Sequence, residues 1–165
     1  IALIAMINYG LEHWIGGIGT AASGEGYINH FVHSVSDGQY ANLSLEAVFG
    51  YMFAPVAWLI GINGEGLQVG QLLGMKMASN EFIAFAELGQ LKEAGAMTSR
   101  NVFLTTFALC GFANFSSIGI QLGGIGVLAP SRKALIAKLG LKAMIAGTLA
   151  SLLSATVAGM VWVGG

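Results

Sequence analysis

The sequence predicts an all-α integral membrane protein with transmembrane helices, a re-entrant hairpin and a discontinuous helix, and three observations carry that prediction. The 165 residues are 55% hydrophobic and only 9% charged, with a mean hydropathy of +0.73. Soluble domains carry roughly 25% charged residues, so there is too little polar surface here to keep a compact domain in water. Long stretches run without any charge, and where charges do interrupt apolar sequence they come singly, as in GMKMASNEFIAF at residues 74–85. Gly is frequent, at 25 residues, and Pro scarce, at 2. That excludes collagen-like and Pro-rich disordered chains and suits membrane helices that pack closely.

The chain opens on IALIAMINYGL, a short apolar segment expected to end at Glu12. It has no initiator Met and no basic n-region, so it is no signal peptide and is expected to belong to something longer. EHWIGGIGTAASGEGYINHF follows, Gly-rich and carrying Glu12, Glu25, His13 and His30, with His33 just beyond. Only His30 and His33 are close, and no Cys or adjacent carboxylate completes a ligand set. These histidines are expected at an interface or in loops, and no metal site is expected. The lone Cys110 excludes an intrachain disulfide and is expected to be buried and inert. A net charge of -1 without a basic patch excludes a nucleic-acid binder.

Residues 47–64, AVFGYMFAPVAWLIGING, contain no charge and as a helix would reach about 27 Å, close to a bilayer's hydrocarbon core. Pro55 is expected to kink this span, and Trp58, Gly61 and Gly64 fit its approach to an interface. Residues 67–91 are apolar but broken by Lys76, Asn80, Glu81 and Glu87. A straight span would expose these groups to lipid, whereas a re-entrant hairpin of two half-membrane helices buries its polar tip in protein. Residues 101–131 are uncharged, too long for one straight span, and carry the polar island Asn114-Phe115-Ser116-Ser117 between Gly111 and Gly119. Two readings stand: a helix broken at the island, which is favoured, or one long tilted helix whose hydroxyls bond to its own carbonyls. Arg132, Lys133, Lys138 and Lys142 form a basic stretch before a last span over 143–165. Ala146, Ala150, Ser154 and Ala158, at every fourth position, predict its packing face. The positive charges point to a cytoplasmic approach, with the C-terminus outside.

An enzyme would need a nucleophile with its base, metal ligands or a phosphate loop. None is present, and GGIG at 123–126 lacks the Gly-x-Gly-x-x-Gly spacing. No cofactor is expected. Glu81 has three possible roles: proton carrier, ligand acceptor, or structural partner of Lys76. Five residues apart, the last two do not sit squarely on one helix face, whereas Lys76 and Asn80 do. The clusters Asn80-Glu81 and Asn114-x-x-Ser117 suit a midplane site for a small polar solute. A carboxylate accepts from hydroxyls, an amide and a hydroxyl each donate and accept, and Phe112 would cover an apolar or planar part. On residues alone a transporter ranks first, then a channel, then a structural membrane subunit.

GMKMASNEFIAF resembles the signature of the concentrative nucleoside transporter family, Gly-x-Lys-x-x-x-Asn-Glu-Phe-Val-Ala-aromatic. Gly74, Lys76, Asn80, Glu81, Phe82, Ala84 and Phe85 match it, and Ile83 stands in place of Val. CGFANFSSIGIQLGGIGVLAP and GYMFAPVAWLIG resemble that family too, and the likeness covers essentially all of residues 1–165, as the C-terminal part of a bacterial-like member. The resemblance implies nucleoside import by symport with sodium or protons, in a homotrimer that is multi-pass in the bilayer of the bacterial inner membrane. It implies that Glu81, in a second hairpin, and Asn114 and Ser117, in the broken helix, hydrogen-bond the ribose with Phe112 beside the ligand. Gly74, Lys76, Asn80 and Phe82 then support the motif. Base recognition and the coupling-cation site are expected mainly in the preceding half of such a protein, so this part alone is not expected to transport. A channel or transporter for another small polar solute, or a structural subunit, is the alternative.

Overall fold

The computed structural model describes residues 2–19, 24, 26–36, 38 and 40–163, and Glu25 lies outside them. Helix α1, Ala2–Gly10, does not stop at Glu12. It runs on as a π-helical turn, Leu11–Gly16. Glu12 is accommodated because its Oε1 accepts from Asn42 Nδ2 at 2.8 Å, and the His13 ring stacks on Tyr9, 4.2 Å between centroids. His30 and His33 lie on α2, Tyr27–Val35, with their side chains exposed, rather than in a loop.

Helix α3, Leu45–Leu59, starts at Ser44, whose Oγ accepts the Ala47 N–H at 3.1 Å. It contains Pro55 and ends earlier than the charge-free run suggests, because Gly61 (φ +94°) and Gly64 (φ +84°) turn the chain out of the helix. Helix α4, Gly66–Ala78, packs back along α3 more closely than any other pair. Gly66, Gly70 and Gly74, one turn apart, form the seam. A Cβ at Gly70 would strike the Gly50 carbonyl and lie 2.8 Å from Ala54 N, and one at Gly74 would strike the Phe49 side chain. Small residues at every fourth position let two backbones approach this far.

Ser79 and Asn80 turn the chain into α5, Glu81–Glu93, which Asn80 caps by accepting the Ile83 N–H at 3.1 Å. The start of α4 is clasped to the start of α6, which follows α5 after a short turn. Glu65, at the foot of α4, accepts from the Thr98 N–H at 2.9 Å and from Asn101 Nδ2 at 2.8 Å, while Arg100 donates to the Gly61 carbonyl at 2.7 Å. Helices α4 and α5 thus form a helical pair joined at the Ser79-Asn80 tip, and the chain leaving α5 returns to the foot of α4. Val69, Leu72, Leu73, Ala84 and Leu88 from this hairpin form the core with Leu104, Leu109 and Ala155.

The stretch 101–131 is not one tilted helix. Helix α6, Ser99–Leu109, stops, residues 110–114 are non-helical, and α7, Phe115–Leu128, starts anew. Cys110 lies in this break and is exposed, contrary to expectation, because its extended backbone takes it off the packed face of α6. Helix α8, Lys133–Met160, begins well before 143. With the short turn before it, Pro130–Met160 is the one stretch among the described residues long and apolar enough to cross a bilayer. Lys133, Lys138 and Lys142 sit in its first turns, and 143–160 spans about 27 Å. The packing face also differs from expectation. Met144, Ser151, Ala155 and Ala158 are buried, whereas Ala146, Ala150 and Ser154 face outward. Contacts on α8 recur at the three-and-four spacing of a coiled-coil seam, from which a strict fourth-residue stripe drifts away.

Candidate functional site

Two helix N-termini meet at the hairpin tip. Glu81 is the first residue of α5, and Asn114 is the N-cap of α7. Asn114 Nδ2 donates to Glu81 Oε2 at 2.9 Å. Asn114 Oδ1 accepts the Ser117 N–H and the Ser117 hydroxyl, each at 2.8 Å, and lies 2.8 Å from Ser116 Oγ. Ser116 Oγ is also 3.1 Å from the Ser79 carbonyl, and its single proton serves one of these acceptors at a time. Glu81, Asn114 and Ser117 are 6%, 1% and 7% exposed, so each polar group depends on the others. A helix N-terminus favours negative charge, and two such ends converge beside the Glu81 carboxylate. Its Oε1 makes no hydrogen bond among the described residues and is not sealed in.

The local sequence produces this arrangement twice. In Asn80-Glu81-Phe82-Ile83 and in Asn114-Phe115-Ser116-Ser117 an extended Asn turns its amide oxygen onto the N–H three residues on, which ends one segment and starts the next helix. Asn114 also spends its amide N–H on Glu81, so the second cap and the carboxylate are one network. Gly111, at φ +110° and packed against Ser151, makes the reversal into the break possible.

The structure brings Glu81, Asn114 and Ser117 together. Phe112 is exposed and shares with Asn114 and Ser117 a cavity of about 260 Å³ between α7 and α8, to which Gln121 also contributes. Glu81 does not line that cavity; it lies across Asn114 from it. Asn80 caps α5, Gly74 lies in the seam with α3, and Phe82 is exposed on the outer side of α5. Lys76 is buried to 1% exposure and pairs not with Asn80 or Glu81 but with the Ala108 carbonyl, Nζ to O 3.0 Å. Two further contributors escaped the reading of the sequence. Ser116 could have been found in the polar island. Ser151, whose Oγ donates to the Cys110 carbonyl at 2.6 Å or to Gly147 O at 3.1 Å, looks in sequence like any small residue of a packed helix. Among the described residues no three His, Cys, Asp or Glu side chains converge as metal ligands would.

A buried carboxylate held between two helix N-termini, inside an apolar helical chain with a discontinuous helix, marks a membrane protein of the broken-helix class. The profile of the Na+ dependent nucleoside transporter C-terminus matches residues 1–159, and the chain belongs to that family, the concentrative nucleoside transporters. It is 52% identical over 119 residues to the uncharacterized transporter YutK of Bacillus subtilis, covering 72% of this chain and 29% of that protein. It is 44% identical over 135 residues to the sodium/nucleoside cotransporter 1 of Rattus norvegicus, covering 73% and 21%. Among solved structures, CNTnw in an inward-facing substrate-bound state superposes with a TM-score of 0.72 at 36% identity, over 96% of this chain and 34% of that one. The chain thus spans about a third or less of the length of these relatives. As a member of a transporter family it is not an enzyme.

Proposed function

We propose that this chain is the C-terminal part of a cation-coupled nucleoside symporter and holds the ribose of its substrate with Glu81, Asn114 and Ser117. One observation carries the reading: the 2.9 Å hydrogen bond that joins the buried Glu81 carboxylate to the buried Asn114 amide across two helix N-termini. Abandoning such groups is costly, so a ligand must replace the bonds it disturbs. The vicinal hydroxyls of ribose can do so, each donating one proton and accepting another. One hydroxyl donates to Glu81, while the Asn114 amide and the Ser117 hydroxyl donate to the ligand's oxygens. Phe112, at the mouth of the neighbouring cavity, covers the ligand's apolar face.

The hairpin α4–α5 is re-entrant in this reading and the whole protein is multi-pass in the bacterial inner membrane. Alternating access is a movement of the hairpin and the broken helix past the rest of the protein. Sodium is favoured as the coupling cation by the family's description and by the rat relative's name, with its site mainly in the preceding half. The homotrimer comes from the family resemblance, and a full-length protein with the mass of a single protomer in detergent would remove it.

The test is radiolabelled nucleoside uptake into proteoliposomes containing the full-length protein, with and without sodium and proton gradients. Glu81→Gln keeps the shape but loses charge-assisted hydrogen bonds worth about 1.5–3 kcal/mol, so apparent affinity falls about tenfold or more. Unchanged affinity would take Glu81 out of the site. Uptake indifferent to both gradients would end the symport reading, and uptake that never saturates would indicate a channel.

A further inference from the structure

The family signature contains a lysine for which the ribose site has no use. Lys76 is 1% exposed, in a chain where a charged group in an apolar interior is costly and normally marks function. Its ammonium donates to the Ala108 carbonyl at 3.0 Å and makes no hydrogen bond to the ligand groups. Ala108 is the next-to-last residue of α6, and the last carbonyls of a helix have no partner in their own helix. In the middle of an apolar chain such carbonyls cannot be left to water. The neighbouring carbonyl, that of Cys110, is taken by Ser151 of α8 at 2.6 Å. The broken end of α6 is thus held from two sides, by the hairpin and by α8.

We infer that Lys76 is a positioning residue, a cationic latch that fastens the break of the discontinuous helix to the hairpin and so sets Asn114 opposite Glu81. Lys76 lies five residues before Glu81, and Ala108 six residues before Asn114. The latch and the Asn114–Glu81 bond therefore join the same two segments at two successive points, with Ser116 to the Ser79 carbonyl as a third. Two segments tied at one point can pivot, but tied at two they hold one relative angle. A cation suits the task, because the C-terminal end of a helix carries the negative end of its dipole. With the latch gone, the break can pivot about the hairpin tip, and the 2.9 Å contact of Asn114 with Glu81 is no longer held at one angle. The inference rests on the reading of Glu81 and Asn114 as ligand groups only for its effect on affinity; its structural content stands apart from the ligand's identity.

The test uses the full-length protein in a Cys110→Ser background, spin-labelled after Ala86→Cys on α5 and Ile120→Cys on α7, both exposed positions. Pulsed EPR without substrate is expected to give one narrow distance distribution. Lys76→Met keeps an unbranched apolar stem, one bond shorter than lysine, and removes every donor, so the distribution should broaden. The apparent KM for nucleoside should rise about tenfold or more, while the maximal rate per folded protomer stays within about twofold. Lys76→Gln, whose amide is one bond too short to reach Ala108 O yet folds more readily, is read in the same way if the Met variant cannot be purified. A distribution as narrow as that of the unsubstituted protein overturns the latch, whereas a broadened distribution with unchanged KM upholds the latch and removes Glu81 and Asn114 as ligand groups. Broadening in a protein that takes up a different solute would leave the latch standing and remove only the nucleoside.

Discussion

The hairpin and the broken helix are both helix interruptions closed by an asparagine cap, yet they are held in opposite ways. The hairpin is held by shape: Gly70 and Gly74 press α4 onto the backbone and Phe49 of α3, and its tip turns within two residues. The break is held by hydrogen bonds to distant parts of the chain, namely Lys76 and Ser151 on its freed carbonyls and Glu81 on Asn114. A close-packed seam has one fit and fails when anything is added. A polar network fails when anything is removed.

That contrast can be broken most severely at Gly70. Gly70→Val places a side chain on the backbone of Gly50 and Ala54, and backbone cannot step aside. Overpacking costs about 1–3 kcal/mol where neighbours can shift, and more where they cannot. The expected outcome is loss of folded full-length protein by size-exclusion in detergent. Gly89→Ala on α5, which meets nothing within 4 Å, should elute unchanged. A well-folded Gly70→Val protein would show that the seam is not close.

The two caps give the next largest effect. Asn80→Ala removes one capping bond and should cost about 1 kcal/mol. Asn114→Ala removes the cap and also orphans the buried Glu81 carboxylate and the serine hydroxyls, for a total of about 3 kcal/mol or more. The thermal midpoint of the purified full-length protein should therefore fall two to three times further for Asn114→Ala. Equal falls would mean that the two interruptions are equivalent after all.

The smallest perturbation tests where the hairpin's feet lie. Single cysteines in place of the exposed Asn63 and Lys92, again without Cys110, should leave stability and uptake unchanged. Both should react with an impermeant maleimide from the same side of the membrane. Labelling from opposite sides would mean that 67–91 crosses the bilayer.

What could be read in the sequence follows the same division. A capping asparagine before a new apolar run is a local signal, so the break at 110–114 and the pairing of polar clusters were legible in Asn114-Phe115-Ser116-Ser117 and Asn80-Glu81. The Gly66, Gly70, Gly74 spacing is an equally local signal, and so is the Ala146, Ala150, Ser154 stripe, which faces outward. Spacing alone does not say which small-residue stripe meets a partner. Lys76 offered no clue to its acceptor, because a backbone carbonyl 32 residues away leaves no mark in residue type. The π-helical turn at Leu11–Gly16 was hidden for a related reason, since the carboxylate that should have ended α1 is held by Asn42 from 30 residues further on.

The clasp at Glu65 also bears on chain entropy. Its bond to Thr98 closes a loop between residues 33 apart in sequence. The cost of closing a flexible loop grows only with the logarithm of its length and is roughly 3 kcal/mol for one of this size. Once the two feet are joined, the core contacts between α4 and α5 form within a ring already closed, so that cost is met once for the whole hairpin. A hairpin assembled in this way needs nothing from α8 until the moment that helix docks.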